Sequence, residues 1–261
     1  MTELRKFAQA MLAFQLVQTG SGLAPTQQTL HNSGRPSNLD RMGSLPADSL
    51  LFGLAADGKP LLLSLSDPHP GPILVTAERG GGKTHFLKML LLAAKRLKRP
   101  TEVQFAALTS YPDDFAHIQA PEHLLGIWAS YEAAASEMLY QLACRIEEGR
   151  NQQPILLLVD GLDALFQLDQ SSQDNLAYIL ENGPQARVWP LVTANADMIV
   201  DLPDWLACFR TRIYGRVSDP RTAEALTSAP GAPLHSLLPG TQFCLREKSQ
   251  WLKFWLPTLA A

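Results

Sequence analysis

The sequence predicts an α/β domain in which helices cover both faces of a mostly parallel sheet and a β-hairpin closes the chain. Three observations support this prediction. Short apolar runs alternate with segments of helical period, a glycine-rich turn joins one such run to a helix, and the last segment alternates at period two. With 261 residues, 46% apolar and 18% charged, the chain can form one large α/β domain or two small ones.

Apolar runs bounded by turn residues predict the strands. They are PLLLSL at 60–65, PILVTA at 72–77, EVQFAAL at 102–108, PILLLVD at 154–160, VWPLVTA at 188–194 and TRIYGRV at 211–217. Apolar residues at helical spacing predict helices at about 83–97, 130–148 and 173–181. The tail, GTQFCLREKSQWLKFWL, alternates around residues 247–249 and predicts the hairpin.

Residues 1–48 differ in composition from the predicted domain at 49–261. Leu4, Phe7, Met11 and Phe14 recur at helical spacing, which predicts an amphipathic helix over residues 3–18. The segment that follows is rich in Gly, Ser, Pro, Asn and Gln, as irregular arms are. We expect the apolar face of this helix to dock on a neighbouring subunit or a partner protein, or to pack on its own domain.

Charge and cysteine content limit the class of protein. The net charge is -3 and the pI is near 6.1, so there is no general basic field for nucleic acid, and any DNA contact would be local. The three cysteines lie far apart without metal-ligand spacing, which predicts neither disulfides nor zinc and favours a reducing, cytoplasmic location. No run of about eighteen apolar residues predicts a membrane span.

A glycine-rich turn follows the run PILVTA and precedes a helical segment. Residues 77–84 read AERGGGKT and match the phosphate-binding pattern G-x-x-x-x-G-K-[ST], except that Ala77 replaces the first glycine. Glycines allow successive N–H groups to point at phosphate oxygens, and the helix N-terminus favours the same anion. The predicted nucleotide-binding residues are Arg79, Gly80, Gly81, Gly82, Lys83, Thr84 and His85.

Lys83 and Thr84 have separate predicted roles in this motif. The lysine reaches the β- and γ-phosphates, and the threonine hydroxyl coordinates Mg²⁺. The alternative is a tight glycine turn with a lysine that faces solvent. The strand before the turn and the helix after it favour the phosphate-binding interpretation.

Polar residues end two later strands of the predicted sheet. Asp160 follows the apolar run ILLLV and is the predicted second ligand of Mg²⁺. Asp163, three residues on, is either a catalytic group or a helix N-cap. Thr193 and Asn195 end the next strand, where the carboxyl edge of the sheet should meet the γ-phosphate, or they are ordinary polar loop residues.

The order of these parts resembles the FtsK/HerA branch of P-loop ATPases, which includes FtsK/SpoIIIE-like domains and type VII secretion modules. The resemblance extends over roughly residues 49–256. The matching segments are LLFGLAADGKPLLLSL before the glycine turn, SYPDDFAHIQAPEHLL and the helix after it, LACFRTRIYGRVSDPRTAEAL, and GAPLHSLLPGTQFCLR. The resemblance implies a RecA-like P-loop NTPase fold.

The resemblance also implies a function. Such domains form homo-oligomeric rings, typically hexamers, that bind ATP and Mg²⁺ and move DNA, or help to export protein in the secretion relatives. Local pore loops contact the DNA. A neighbouring subunit supplies an arginine that stabilises the transferring phosphoryl group. Arg212 matches that position, with Arg210 and Arg221 as the other candidates.

One departure from the family pattern concerns the attacking water. The family has Asp-Glu at the end of the acidic strand, whereas Gly161 follows Asp160 here. Without the glutamate, hydrolysis needs Asp163 or another base, and losing a general base costs on the order of a hundredfold in rate. Three functions therefore remain open: an ATP-hydrolysing ring motor acting on DNA, a weakly or non-hydrolysing nucleotide-binding assembly or regulatory module, or a secretion-linked ATPase module acting on protein.

Overall fold

The computed structural model describes residues 45–116, 118, 122–149 and 153–257 of the chain. Within these residues ten strands form one sheet. The strands are β1 (Ser49–Ala55), β2 (Pro60–Ser64), β3 (Ile73–Ala77), β4 (Gln104–Thr109), β5 (Leu124–Ala129), β6 (Ile155–Asp160), β7 (Val188–Asn195), β8 (Thr211–Tyr214), β9 (Gln242–Glu247) and β10 (Gln250–Trp255). Their order across the sheet is β2-β1-β10-β9-β8-β3-β7-β6-β4-β5.

The larger part of the sheet is parallel, as expected. Strands β8, β3, β7, β6, β4 and β5 all run in the same direction. Successive buried residues of β6 face opposite sides of the sheet, because Leu157 belongs to one core cluster and Leu158 to the other. Burial on both faces explains why these strands read as continuous apolar runs.

The rest of the sheet is antiparallel and includes the predicted hairpin. Strand β9 pairs with β10 from Gln242↔Trp255 to Glu247↔Gln250, which confirms the hairpin. Strand β9 also joins β8, and β10 joins β1. Strands β1 and β5 were not among the predicted strands. Gly53 interrupts the pattern in β1, since only a residue without a Cβ leaves room there for Phe254 and the Trp255 carbonyl.

Helices cover both faces of the sheet. They are α1 (Lys83–Leu97), α2 (Asp113–Ala116), α3 (Ala133–Glu148), α4 (Asp163–Phe166), α5 (Gln170–Asn182), α6 (Ala196–Ile199), α7 (Pro203–Cys208) and α8 (Pro220–Thr227). The buried side of α1 packs on one face, through residues such as Phe86 and Leu90. Helices α3 and α5 pack on the other face, through residues such as Leu139 and Leu176. This arrangement confirms the predicted fold class.

The predicted amphipathic helix at residues 3–18 lies outside the described residues. Among the described helices, none combines the length and apolar character needed to cross a membrane.

Candidate nucleotide-binding site

The glycine-rich turn lies between the end of β3 and the start of α1, as the sequence predicts. Ala77 is the last residue of β3, and Lys83 is the first of α1. Gly80 and Gly82 have φ values of 75° and 90°, a left-handed conformation that favours glycine. The φ of Ala77 is not positive, so alanine in place of the first glycine does not strain the loop. The described loop therefore keeps the backbone form on which phosphate binding depends.

The turn at residues 238–241 supports the loop from the side, and sequence reasoning missed it. The Gly240 N–H donates to the Gly81 carbonyl over 3.1 Å. A Cβ added to Gly82 would overlap the Gly240 Cα, so the two backbones approach as only glycine allows. The Pro-Gly pair at 239–240 was the available signal, but nothing local indicates that this turn reaches residue 82.

Lys83 folds back over the loop. Its Nζ donates to the Ala77 carbonyl over 3.3 Å and to the Glu78 carbonyl over 3.0 Å. The ammonium group is therefore held at the mouth of the glycine turn, instead of extending into solvent. This geometry favours the phosphate-binding interpretation of Lys83 over the solvent-facing alternative.

A chain of hydrogen bonds joins the start of α1 to the ends of β6 and β7. The Thr84 hydroxyl donates to Asp160 Oδ2 over 2.8 Å, and the Thr193 hydroxyl donates to Asp160 Oδ1 over 3.0 Å. The Gly161 N–H donates to Thr193 Oγ1 over 2.7 Å. Parallel pairing of β6 with β7 aligns the strand ends that carry these groups. Three predicted site residues thus meet at one point.

Burial controls the electrostatics of Asp160. The residue is only 9% exposed, and desolvation raises the pKa of its carboxyl above the ordinary aspartate value. Hydrogen bonds from Thr84 and Thr193 favour the ionised form and offset part of that rise in pKa. A buried carboxylate with a neighbouring hydroxyl provides the oxygen ligands that Mg²⁺ prefers, so the donor set fits this ion.

Gly161 occupies the position where the family pattern has glutamate. Its φ is 95°, a backbone angle that residues other than glycine rarely adopt. The backbone at this position is therefore shaped for glycine, and the departure involves more than the loss of one side chain.

The other predicted residues of the carboxyl edge are separate from the Asp160 hydrogen bonds. Asn195 is half-buried and pairs in register with Ala77, so it flanks the beginning of the loop. Asp163 is the first residue of α4, whose N-cap is Leu162, so the N-cap alternative for Asp163 is not observed.

Arg79 and His85 lie on the exposed side of the loop. Desolvation and the positive charge of Lys88 lower the pKa of the His85 imidazole.

The predicted arginines lie apart from the loop of their own chain. Arg212 pairs in register with Leu74, three residues before Ala77, and donates to the carbonyls of Leu206 (2.7 Å) and Phe209 (3.3 Å). These bonds hold α7 against β8. Arg210 and Arg221 are exposed.

A further group at the site escaped sequence reasoning. The Glu78 carboxylate accepts the Ser218 N–H over 2.8 Å and pairs with the Arg216 guanidinium over 3.3 Å. The Glu78 N–H donates to the Arg216 carbonyl over 2.8 Å. These contacts tie the residue that follows β3 to the segment after β8, which makes Glu78 a structural residue of the loop.

Comparisons with known proteins identify the fold. No protein-family model matches the chain, and no curated protein matches it by sequence. Among solved structures, EccC of Thermomonospora curvata (ATPases 2 and 3, with a signal sequence peptide) aligns over 92% of this chain and 46% of its own, at 13% identity and TM-score 0.67. The cytoplasmic domain of the same type VII secretion ATPase aligns over 86% of this chain and 31% of its own, at 18% identity and TM-score 0.60.

A conjugation protein has the same fold. The pCW3 coupling protein TcpA, in its monomer form with ATPγS, aligns over 85% of this chain and 69% of its own, at 13% identity and TM-score 0.62. The chain spans less than half of the secretion ATPase chains, 31% and 46% in the two EccC structures. The chain therefore has the fold of the FtsK/SpoIIIE-type P-loop ATPase modules, as its motifs predict.

Proposed function

We propose that this protein binds ATP with Mg²⁺ at the loop of residues 77–84. The observation that supports the proposal best is the 2.8 Å hydrogen bond between the Thr84 hydroxyl and the buried Asp160 carboxylate. This bond brings together two oxygen atoms, of the kind that Mg²⁺ prefers as ligands, beside a glycine turn suited to phosphate. Among proteins of the same fold, TcpA has a structure with ATPγS.

Each group of the site has a distinct role in this proposal. The N–H groups of residues 80–84 and the start of α1 bind the β- and γ-phosphates. Lys83 Nζ exchanges its two carbonyl acceptors for phosphate oxygens. Thr84 and Asp160 hold Mg²⁺, Asp160 directly or through water, and Thr193 keeps the carboxylate in place. The bound ion supplies positive charge that stabilises the phosphate oxygens.

Slow hydrolysis is part of the proposal. Gly161 has no side chain to activate water, and its φ of 95° does not suit a replacement that could. We infer that the protein works as a nucleotide-binding assembly or regulatory module, in which ATP stabilises a conformation or a contact between subunits.

An ATP-hydrolysing ring motor acting on DNA is the second candidate. The observation that favours it is the position of Asn195 at the end of β7. This residue pairs with Ala77, the last residue of β3 before the loop, so its side chain would lie close to a bound γ-phosphate. The neutral amide could orient an attacking water, and an exposed arginine of a neighbouring subunit could complete the site. A secretion-linked module acting on protein has the same nucleotide chemistry, and EccC is such a secretion ATPase.

Nucleotide binding by Lys83→Ala tests the main proposal. Lys88→Ala is the matched control, because Lys88 is on the same helix but pairs with Asp114 at 3.6 Å. We expect Lys83→Ala to lose about tenfold or more in ATPγS affinity, since hydrogen bonds to charged groups contribute roughly 1.5–3 kcal/mol. Lys88→Ala should bind as the wild type does. Equal loss in both variants, or in neither, would overturn the proposal.

Turnover and molar mass distinguish the two candidates. If the protein is an assembly or regulatory module, its ATP turnover should be far below the roughly 1–10³ s⁻¹ that is typical of enzymes, both with and without DNA. If the protein is a motor, DNA should stimulate its ATP turnover into that range. It should also form a ring, so light scattering in the presence of ATPγS should give a molar mass several times that of one chain. Fast turnover would favour the motor function over the module function and would leave the proposal of ATP binding unchanged.

A further inference from the structure

Strand β5 forms one edge of the sheet and pairs with β4, and no described strand pairs with its other side. Its sequence, LLGIWA, contains neither a charged residue nor a proline, which are two common means of preventing another chain from pairing with a sheet edge. The opposite edge strand, β2, has both, because Lys59 precedes it and Pro60 begins it. The β5 edge is therefore the less protected of the two.

Three main-chain groups of β5 point towards this open side. Beyond a bulge at Leu125, the register with β4 is regular as far as the pair Thr109↔Ala129. The Ser130 N–H donates to the Thr109 carbonyl over 3.0 Å. Successive residues of a strand direct their N–H and C=O groups to opposite sides, so the Ile127 N–H and carbonyl and the Ala129 N–H face away from β4. An added strand can bond these groups.

A cavity of about 570 Å³ lies beside the same strand, between β5 and α3. It extends as far as Ala106 and Ile155, which are buried. Its lining also includes Leu125, which is 45% exposed, and the partly buried Trp128. Gly126 leaves room for the Trp128 ring, which lies close to it. An added strand places alternate side chains on this face of the sheet, so one of them can enter the cavity.

The charge on this side of the sheet is mainly negative. Residues 130–149, which include α3, contain four glutamates and one arginine, a net charge of -3. Glu137, Glu148 and Arg145 line the cavity. Burial lowers the pKa of Arg145 and the nearby charge of Glu148 raises it, so the charges of these two residues offset each other. Glu137 therefore gives the cavity a net negative charge.

We propose that the β5 edge binds an extended, positively charged segment of a partner protein, which adds an eleventh strand to the described sheet. The main-chain groups of Ile127 and Ala129 hold its backbone, and an apolar side chain fills the cavity beside Trp128. Lysine or arginine side chains next to that apolar anchor pair with Glu137. Because β5 lies four strand positions from β3, about 19 Å across the sheet, this surface is independent of the proposed nucleotide site.

A second copy of this chain is a poorer occupant than a basic segment. Antiparallel pairing of two β5 strands continues the sheet through a twofold axis and places α3 of both copies on the same face. Two regions of net charge -3 then lie side by side, which opposes the contact. The bulge at Leu125 also limits the regular part of β5 to residues 126–129, which suits a short segment better than two whole strands.

Binding of the fluorescent peptide KKVLVLKK to the full chain, measured by anisotropy, tests the main-chain contacts. Two N-methylated forms are compared, one modified at both valines and the other at both leucines. The N–H groups of the valines and those of the leucines point to opposite sides of an added strand. We expect saturable binding of the unmodified peptide, a loss of about tenfold or more for one modified form, and nearly full affinity for the other. No binding, or equal affinities of the two modified forms, would overturn the proposal.

Filling the cavity tests where the peptide lies. Ala133 and Ala134 are both exposed at the start of α3, but of these two only Ala134 lines the cavity. Ala134→Phe should reduce the affinity for KKVLVLKK about tenfold, because its ring takes the space of the anchor side chain, whereas Ala133→Phe should bind as the wild type does. Thermal unfolding verifies that both variants are folded. Equal affinities of the two variants would place the peptide elsewhere and contradict the proposal.

Charge reversal tests the class of partner. Glu137→Lys and Glu147→Lys change the net charge equally, but Glu137 lines the cavity and Glu147 is not part of its lining. We expect the first variant to weaken binding of KKVLVLKK about threefold or more at low salt, and the second to have a smaller effect. The peptide EEVLVLEE should bind the wild type about tenfold more weakly than KKVLVLKK.

Two results would overturn the assignment to a basic partner. One is equal affinity for the lysine and glutamate peptides. The other is light scattering that shows dimers of the chain alone, which KKVLVLKK dissociates, because the edge would then belong to a second copy.

Discussion

Asp160 is the residue on which the proposed chemistry of the site depends. It is nearly buried, and both carboxylate oxygens accept hydroxyl hydrogen bonds, at 2.8 Å from Thr84 and 3.0 Å from Thr193. Burial raises the pKa of the carboxyl, so the ionised form carries a free-energy penalty in the folded protein. A divalent cation would remove much of that penalty.

This penalty predicts how stability depends on pH. The protonated form of Asp160 is the one that folding favours, so its stabilisation is present below the unfolded pKa of about 3.8–3.9 and is lost as pH rises through the raised pKa. Asn in place of Asp160 does not titrate. We therefore expect Asp160→Asn to gain stability relative to wild type as pH rises from about 4 to 7.

Urea unfolding of both proteins across this pH range measures the difference. Thr193→Val is a useful comparison, because it removes one hydroxyl that favours the ionised form and should steepen the loss of stability with pH. A stability difference between wild type and Asp160→Asn that stays constant with pH would contradict this assignment.

Gly161 leads to a second prediction at the residue scale. Gly161→Glu restores the side chain of the family pattern but forces glutamate into φ near 95°. We expect this variant to lose about 1–2 kcal/mol of stability, the cost of left-handed backbone for an L-residue, and to gain no ATPase activity. Thermal unfolding and steady-state turnover measure the two effects. A rise in turnover of about tenfold would show that the backbone can place a base at this position.

Among the elements, the contact between the phosphate loop and the turn at 238–241 is the most specific. Gly80 and Gly82 both have positive φ, but a Cβ on Gly80 would meet nothing within 4 Å, whereas one on Gly82 would overlap Gly240. Substitutions at these two glycines therefore form a matched pair. A substitution at Gly80 tests the backbone conformation alone, whereas one at Gly82 tests the conformation together with the contact to Gly240.

We expect Gly82→Ala to lose nucleotide affinity by more than tenfold, because the turn and the loop must separate. Gly80→Ala should lose only about 1 kcal/mol of stability through backbone strain and retain most of the affinity. Calorimetric titration with ATPγS and thermal unfolding provide the two values. Similar affinities in both variants would show that the turn does not position the loop.

Sequence patterns predicted most of these elements because the spacing of apolar residues and the turn residues that bound each element are local properties of the sequence. Strands β3 and β6 read as apolar runs, and the hairpin of β9 and β10 reads as alternation. Strand β1 was missed because Gly53 breaks its pattern, although β10 packs closely over that glycine. Strand β5 is an edge strand with partly exposed residues and lacks a continuous apolar signal.

The candidate site was predictable only where motif and strand end coincide. Lys83, Thr84 and Asp160 follow from the motif and from the rule that parallel strands end at one edge. Glu78 with Arg216, and the Gly82 contact with Gly240, join residues that are more than one hundred positions apart. Such contacts depend on how β8 pairs with β3 and how β9 pairs with β8, and no local pattern contains that information.

In the whole molecule, β3 connects two regions of different chemistry. Its carboxyl end leads into the phosphate loop, and its amino end lies at a cavity that α5, α7 and the segment before β3 line.

The Mg²⁺ dependence of ATPγS affinity tests the central claim most directly. Titration calorimetry with and without Mg²⁺ compares the wild type with Asp160→Asn and Thr84→Val. The account predicts that Mg²⁺ increases wild-type affinity about tenfold or more, and that each variant loses most of this increase. Wild-type protein that fails to bind ATPγS, or binds it equally well without Mg²⁺, would contradict the account.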